Sequence, residues 1–162
     1  MRFTVSLDLA LSRERVLELL TRPEHRPQWL RGLVLHEPLH GEDGHVGTAS
    51  RVVMGSGKQR MEAVETITRR EPTELRGVPS HVDVRFEREI AAPGMWSAAR
   101  ERLIEVDPGR TRWESENEYR FTGAMRLLAP CMRRSFIAQA QQHMRDFQAF
   151  AEHGVDVREA GR

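Results

Sequence analysis

The chain has 162 residues, 39% of them apolar and 30% charged, enough for one domain with its own core and no need of disulfide staples. Twenty-five Lys+Arg against 24 Asp+Glu leave a formal net charge of +1, and no block of like charge is long enough to mark a nucleic-acid stripe or a polybasic membrane patch. Cys131 stands alone, which excludes an internal disulfide and a thiolate metal site; with no secretory-type apolar stretch and no apolar run of bilayer length, the expected location is the cytoplasm, without integral membrane association.

Phe3, Val5, Leu7 and Leu9 alternate with Arg2, Thr4, Ser6 and Asp8, the period-2 signature of a strand with one wet face. Ser12 offers an N-cap for a short helix, Arg13 to Leu20, with Val16, Leu19 and Leu20 on one face. A second short helix or turn covers Pro23 to Leu30, where Pro23 suits a helix start. Strand patterns follow at Leu33 to Leu39 and Val46 to Met54. The turn Gly55-Ser56-Gly57-Lys58 leads into Gln59 to Arg69, and Glu71-Pro72 breaks that strand. His81 to Ile90 turns at Pro93-Gly94 into Met95 to Val106, and Asp107-Pro108-Gly109-Arg110 turns the chain into Thr111 to Phe121. These short spacings favour sequential antiparallel hairpins, because no helix-length crossover separates the strands. From Met125 the residues Leu128, Met132, Phe136, Ala140, Met144 and Phe147 recur at helical spacing, and Gly154 supplies a stop. Pro130 must lie in the first turn or kink the helix. Residues 155–162 have little to pack and are expected as a disordered tail.

The predicted class is therefore α+β: a seven-stranded curved antiparallel sheet around a long C-terminal helix, with two short helices between strands one and two. Seven strands make a sheet roughly 30 Å wide, whereas a helix covers only about 10–12 Å. The sheet must curl to bury the helix, and an enclosed space can remain where the two do not meet.

This order of elements resembles the START-like superfamily of helix-grip proteins, also called the Bet v 1-like or polyketide cyclase/dehydrase group. The likeness rests on Arg22-Pro23-Glu24 with Trp29, Val46-Gly47, and Asp107-Pro108-Gly109-Arg110-Thr111. It continues in Tyr119-Arg120-Phe121-Thr122-Gly123, Arg126-Leu127-Leu128-Ala129-Pro130 and Phe147 to Gly154. It covers residues 1–154, which are expected to form a single domain. The resemblance implies the fold but no one function, because the superfamily hosts carriers, receptors, cyclases and co-chaperone-like proteins.

On the seventh strand Trp113, Ser115, Asn117, Tyr119 and Phe121 share one face, and the charged alternates share the other. The aromatic face is expected inward, where Ser115 and Asn117 either orient a ligand or pair with backbone and buried water. If the Pro108-Gly109 turn pairs Val106 with Thr111, then Trp96, Arg100 and Arg102 also face inward. A slip or bulge would send the arginines to solvent instead, and Glu87 and Glu89 on the neighbouring strand could also neutralise them. His143 sits near the apolar side of the long helix as a ligand contact, a general base or a boundary residue. With Trp29 as a lid and Met132, Phe136 and Ala140 on the helix, these residues define the expected ligand-binding cavity. His36, His40 and His45 lack a metal-ligand spacing, so no metal or cofactor is expected, and no catalytic set is compelled. Three functions stay open: a noncatalytic binder or carrier of a small hydrophobic or amphipathic molecule, a polyketide cyclase/dehydratase-like enzyme, and an interaction module like the Hsp90-activating co-chaperones. The oligomeric state is not legible.

Overall fold

The computed structural model describes residues 1–159, apart from the side chain of Ser56. Strand β1 (Arg2–Leu9) buries Phe3, Val5 and Leu9 and turns Arg2, Thr4 and Ser6 outward. Helix α1 (Arg13–Thr21) follows, with the Ser12 hydroxyl accepting from the Arg15 backbone N–H as N-cap. It buries Val16, Leu17 and Leu19. A 3-10 turn, Pro23–His25, leads into the single-turn helix α2 (Arg26–Trp29). The remaining strands are β2 (Leu33–His40), β3 (Ala49–Ser56), β4 (Gln59–Glu71), β5 (Val84–Ala92), β6 (Met95–Asp107) and β7 (Arg110–Phe121). The long helix α3 (Met125–His153) closes the order.

The seven strands form one antiparallel sheet in the order β1-β7-β6-β5-β4-β3-β2. Strands β1 and β2, neighbours in sequence, thus lie at opposite edges. The segment between them must cross the breadth of the sheet, which is why the two short helices end up closing one end of the curl. Helix α3 lies chiefly against β1, α2 and β7. Phe147, fully buried on α3, is its bolt: the ring meets Trp29 at 5.2 Å and Trp113 at 5.3 Å, both edge-on. Gly154 ends the helix in the left-handed conformation that a Cβ would disfavour, and its N–H caps the last turn.

Several boundaries differ from the sequence expectation. Strand β3 begins at Ala49 rather than Val46, whose side chain is exposed, and it runs on through Gly55 and Ser56 so that Gly57-Lys58 alone makes the turn. Strand β5 begins at Val84 rather than His81, because the preceding backbone is turned toward α1. There the buried Arg13 donates to the carbonyls of Val78 (2.8 Å), Pro79 (3.0 Å) and Val82 and lies 3.3 Å from Glu105. Pro130 sits in the second turn of α3, and the helix runs through it. Leu128, expected in the inner row, is exposed, because only Ala129 is buried in the first turns of α3. Of the expected tail, Val157 donates its N–H to Gln28 O at 2.8 Å, and residues 160–162 lie outside the described residues.

Candidate ligand-binding site

Strand register decides which side chains enter the curl. Trp113, Ser115 and Asn117 on β7 face Leu103, Glu101 and Ala99 on β6. These face Val84, Phe86 and Arg88 on β5, and Ile67 of β4 lies opposite Arg88. A bulge between Glu105 and Asp107 sets this register. It pairs Arg100 with Glu116 and Arg102 with Glu114, not with Asn117 and Ser115. Trp96 and Arg100, expected among the cavity residues, therefore lie on the outer face, as does Arg102. Arg100 binds Glu116 (3.0 Å) and Glu118 (3.2 Å) there, with Glu87 at 3.7 Å, and Arg102 binds Asp83. The Trp96 indole donates to Glu89 and lies 4.6 Å under the Arg120 guanidinium.

The same shift brings Glu101 inward, where it joins a chain of interior charges that no motif announced. Arg26 from α2 lies 3.4 Å from Asp43, and its guanidinium stands 3.0 Å from His36 Nδ1 and 2.6 Å from His36 Nε2, while Nε2 also lies 3.1 Å from Glu65. Arg88 stands between two buried carboxylates, 3.9 Å from Glu65 and 3.6 Å from Glu101. The Trp113 indole N–H donates to Glu101 at 2.6 Å. The two glutamates respond oppositely to burial. Desolvation pushes Glu65 up, but the His36 hydrogen bond and the charges of Arg88 and Arg26 outweigh it and hold the carboxyl at about 2. Desolvation prevails at Glu101 and raises its carboxyl despite Arg88 and Trp113. Burial likewise raises the Tyr119 phenol and lowers His143, where the Arg88 charge adds to the effect.

Two spaces lie between the helices and the sheet, and the smaller one borders this chain. An open-mouthed cavity of about 600 Å³ lies between α3 and the β3–β4 hairpin, with Gln139, Gln142 and His143 on one wall and Met54, Gly55 and Met61 on the other. Gly32 and Gly55 touch backbone to backbone at its edge, where Gly55 N donates to Gly32 O at 2.7 Å. A Cβ on Gly32, already at φ +83°, would stand 2.7 Å from Gly55 O, so the wall needs glycine there. Deeper, an inner chamber of about 70 Å³ is lined by Trp29, Glu65, Phe86, Arg88, Glu101 and Trp113. Two donors, Arg88 Nε and Trp29 Nε1, are buried there without an acceptor.

Of the expected cavity residues, His143 borders the open cavity, while Trp29 and Trp113 line the inner chamber. Ser115 and Asn117 are buried, but the Asn117 amide donates to Ser115 Oγ at 3.0 Å and is satisfied within its own strand. Tyr119 and Phe136 pack on one another at 4.6 Å, and with Phe121 they fill the wedge between α3 and β7. Met132 and Ala140 are half-buried, with Ala140 against the core. The larger open space is thus on the β3–β4 side of the helix. Among the described residues no cluster of His, Cys, Asp and Glu is fit to hold a metal, and no helix is long and apolar enough to cross a membrane.

No protein-family model and no curated protein sequence matches the chain. Solved structures do. Ara h 8.0201 superposes with a TM-score of 0.70 at 11% identity, covering 93% of this chain and 97% of that one. TTHA0849 from Thermus thermophilus gives 0.72 at 13% identity, covering 95% and 99%. Norcoclaurine synthase from Thalictrum flavum gives 0.65 at 14% identity, covering 94% and 87%. Such low identities carry the architecture and not the chemistry. Together with the curved seven-stranded sheet around α3, they establish that this chain has the Bet v 1-like helix-grip fold.

Proposed function

We propose that the protein binds or carries a small amphipathic molecule between α3 and the sheet, without transforming it. The observation that carries this reading is the open cavity of about 600 Å³ between α3 and the β3–β4 hairpin, together with a separate inner chamber lined by residues whose donors lack acceptors. A volume of that size suits one small ligand. The Arg88 side chain makes no hydrogen bond among the described residues and stands farther than hydrogen-bond distance from both glutamates. Its N–H groups would gain from an oxygen acceptor on the ligand, while Met54 and Met61 offer apolar surface at the mouth. This reading treats residues 1–154 as one binding unit that works in the cytoplasm. Titration with the fluorescent probe anilinonaphthalene sulfonate tests it. Wild type should bind one equivalent saturably. Gln139→Trp, which places an indole in the cavity from an exposed helix position, should bind at least ~10-fold more weakly. Absence of saturable binding, or equal binding by the filled variant, would contradict the reading.

A specific observation favours a second reading, an enzyme of the polyketide cyclase/dehydratase kind. Glu101 has a raised pKa and lies beside Arg88. It is suited to give a proton to a carbonyl oxygen that the guanidinium polarises. Norcoclaurine synthase, of similar fold, has been solved with a transition-state analogue. Turnover of a β-dicarbonyl panel should then vanish in Glu101→Gln and survive in the outer-face variant Arg100→Gln. A panel with no turnover by wild type removes this reading.

A further inference from the structure

We infer that the N-terminal end of α3 docks on an anionic lipid surface. No acidic residue occurs between Glu118 and Asp146, while Arg120, Arg126, Arg133, Arg134 and Arg145 fall inside that stretch. Apart from Arg133-Arg134 the basic residues are scattered, so the run hides from a search for charge blocks. Arg120 is tied to Glu118, but Arg126, Arg133 and Arg134 are exposed and make no ion pair among the described residues. Arg126 and Arg133 border a groove of about 420 Å³ with Met1, Phe121, Ala129 and Pro130, a setting for a phosphate-bearing headgroup above apolar walls. Beside it Leu127 is 81% exposed, Leu128 55% and Met125 37%.

Two adjacent leucines standing in water at a helix start contribute nothing to the core, and their exposure favours a partner. Unpaired arginines around them select its charge. A second copy of the chain would bring the same arginine-rich surface against the first, which like-charge repulsion opposes. An anionic bilayer accepts both features: leucines enter the acyl boundary and guanidinium groups stay at the phosphates. The surface lies on the same helix as the cavity-lining Gln139, Gln142 and His143 but does not include them. It therefore stands whether or not the cavity binds a ligand.

Flotation with lipid vesicles tests the inference on the full chain. Wild type should float with phosphatidylcholine vesicles containing phosphatidylserine, less so as salt rises, and not with phosphatidylcholine alone. Arginine near an anionic surface contributes roughly a five-fold factor each, so Arg126→Gln/Arg133→Gln/Arg134→Gln should bind on the order of 100-fold more weakly. Leu127→Ser/Leu128→Ser should lose at least ~10-fold, and both variants should melt with wild type. Failure to float with anionic vesicles, equal flotation with neutral ones, or sedimentation as a dimer that the leucine variant dissolves would each overturn the inference.

Discussion

Two buried glutamates, one on each side of Arg88, should respond to neutralisation with opposite signs. A carboxyl whose folded pKa lies below its unfolded value contributes stability that is complete above the unfolded pKa and lost as pH falls through the folded one. Glu65 is of this kind, with a window from 4.5 down to about 2. That difference corresponds to about 3 kcal/mol, and the group is buried enough for little of it to be screened. Glu101 is the reverse. The folded chain holds its proton more tightly than the unfolded chain does, so stability is fullest below 4.5 and declines as pH rises toward the elevated folded value. Glu65→Gln should therefore destabilise the protein at neutral pH by a few kcal/mol and flatten its acid limb. Glu101→Gln, which mimics the protonated side chain and still offers the Trp113 indole an acceptor, should equal or exceed wild type at neutral pH. Urea unfolding followed by tryptophan fluorescence at stepped pH measures both. A shift of the two variants in the same direction would refute this assignment of the buried charges.

Other outcomes follow from the same geometry. Phe147→Ala removes a ring held by two rigid indoles that cannot collapse into the gap, so it should cost about 4 kcal/mol and lower the melting temperature by about 10 °C. Leu127→Ala should change stability by less than ~0.5 kcal/mol, and calorimetry on the two separates core from surface. Arg13→Ala leaves three carbonyls and Glu105 without their cation and should cost about 3–5 kcal/mol in urea unfolding. Arg13→Lys should restore only part of that, because one ammonium cannot reach as the guanidinium fork does. Arg100→Gln should leave anilinonaphthalene sulfonate affinity within ~2-fold of wild type, since the side chain is on the outer face.

Much of the architecture was legible because β1, β7 and α3 each keep one clean period. Phe3, Val5 and Trp113 through Phe121 alternate without ambiguity, and the long helix carries its apolar row as far as Phe147. Strand β6 does not. Ala98 and Ala99 fit either face, as do Leu103 and Ile104, so only the turn could set its phase, and the bulge before Asp107 set it the other way. Arg100 and Trp96 went outward with that choice, and Glu101 came in. Arg88 was detectable. It occupies the same phase as Val84, Phe86 and Ile90 in an otherwise alternating strand, and a charge in the apolar phase is the signal of a buried functional or structural ion. Glu65 between Ala63 and Ile67 gives the same sign. The side on which the cavity opens was not legible, because it depends on Tyr119, Phe121 and Phe136 filling the wedge at β7, a matter of side-chain packing across elements distant in sequence.

An NMR titration of isotopically labelled protein with anilinonaphthalene sulfonate addresses ligand occupancy of the helix–sheet space most directly. Saturable shifts are expected at Met54, Met61, Gln139, Gln142 and His143, together with the Arg88 side-chain resonance, while Trp96, Arg100 and Arg102 stay fixed. Shifts confined to the outer face of β6, or none at saturating probe, would contradict a ligand site between α3 and the sheet.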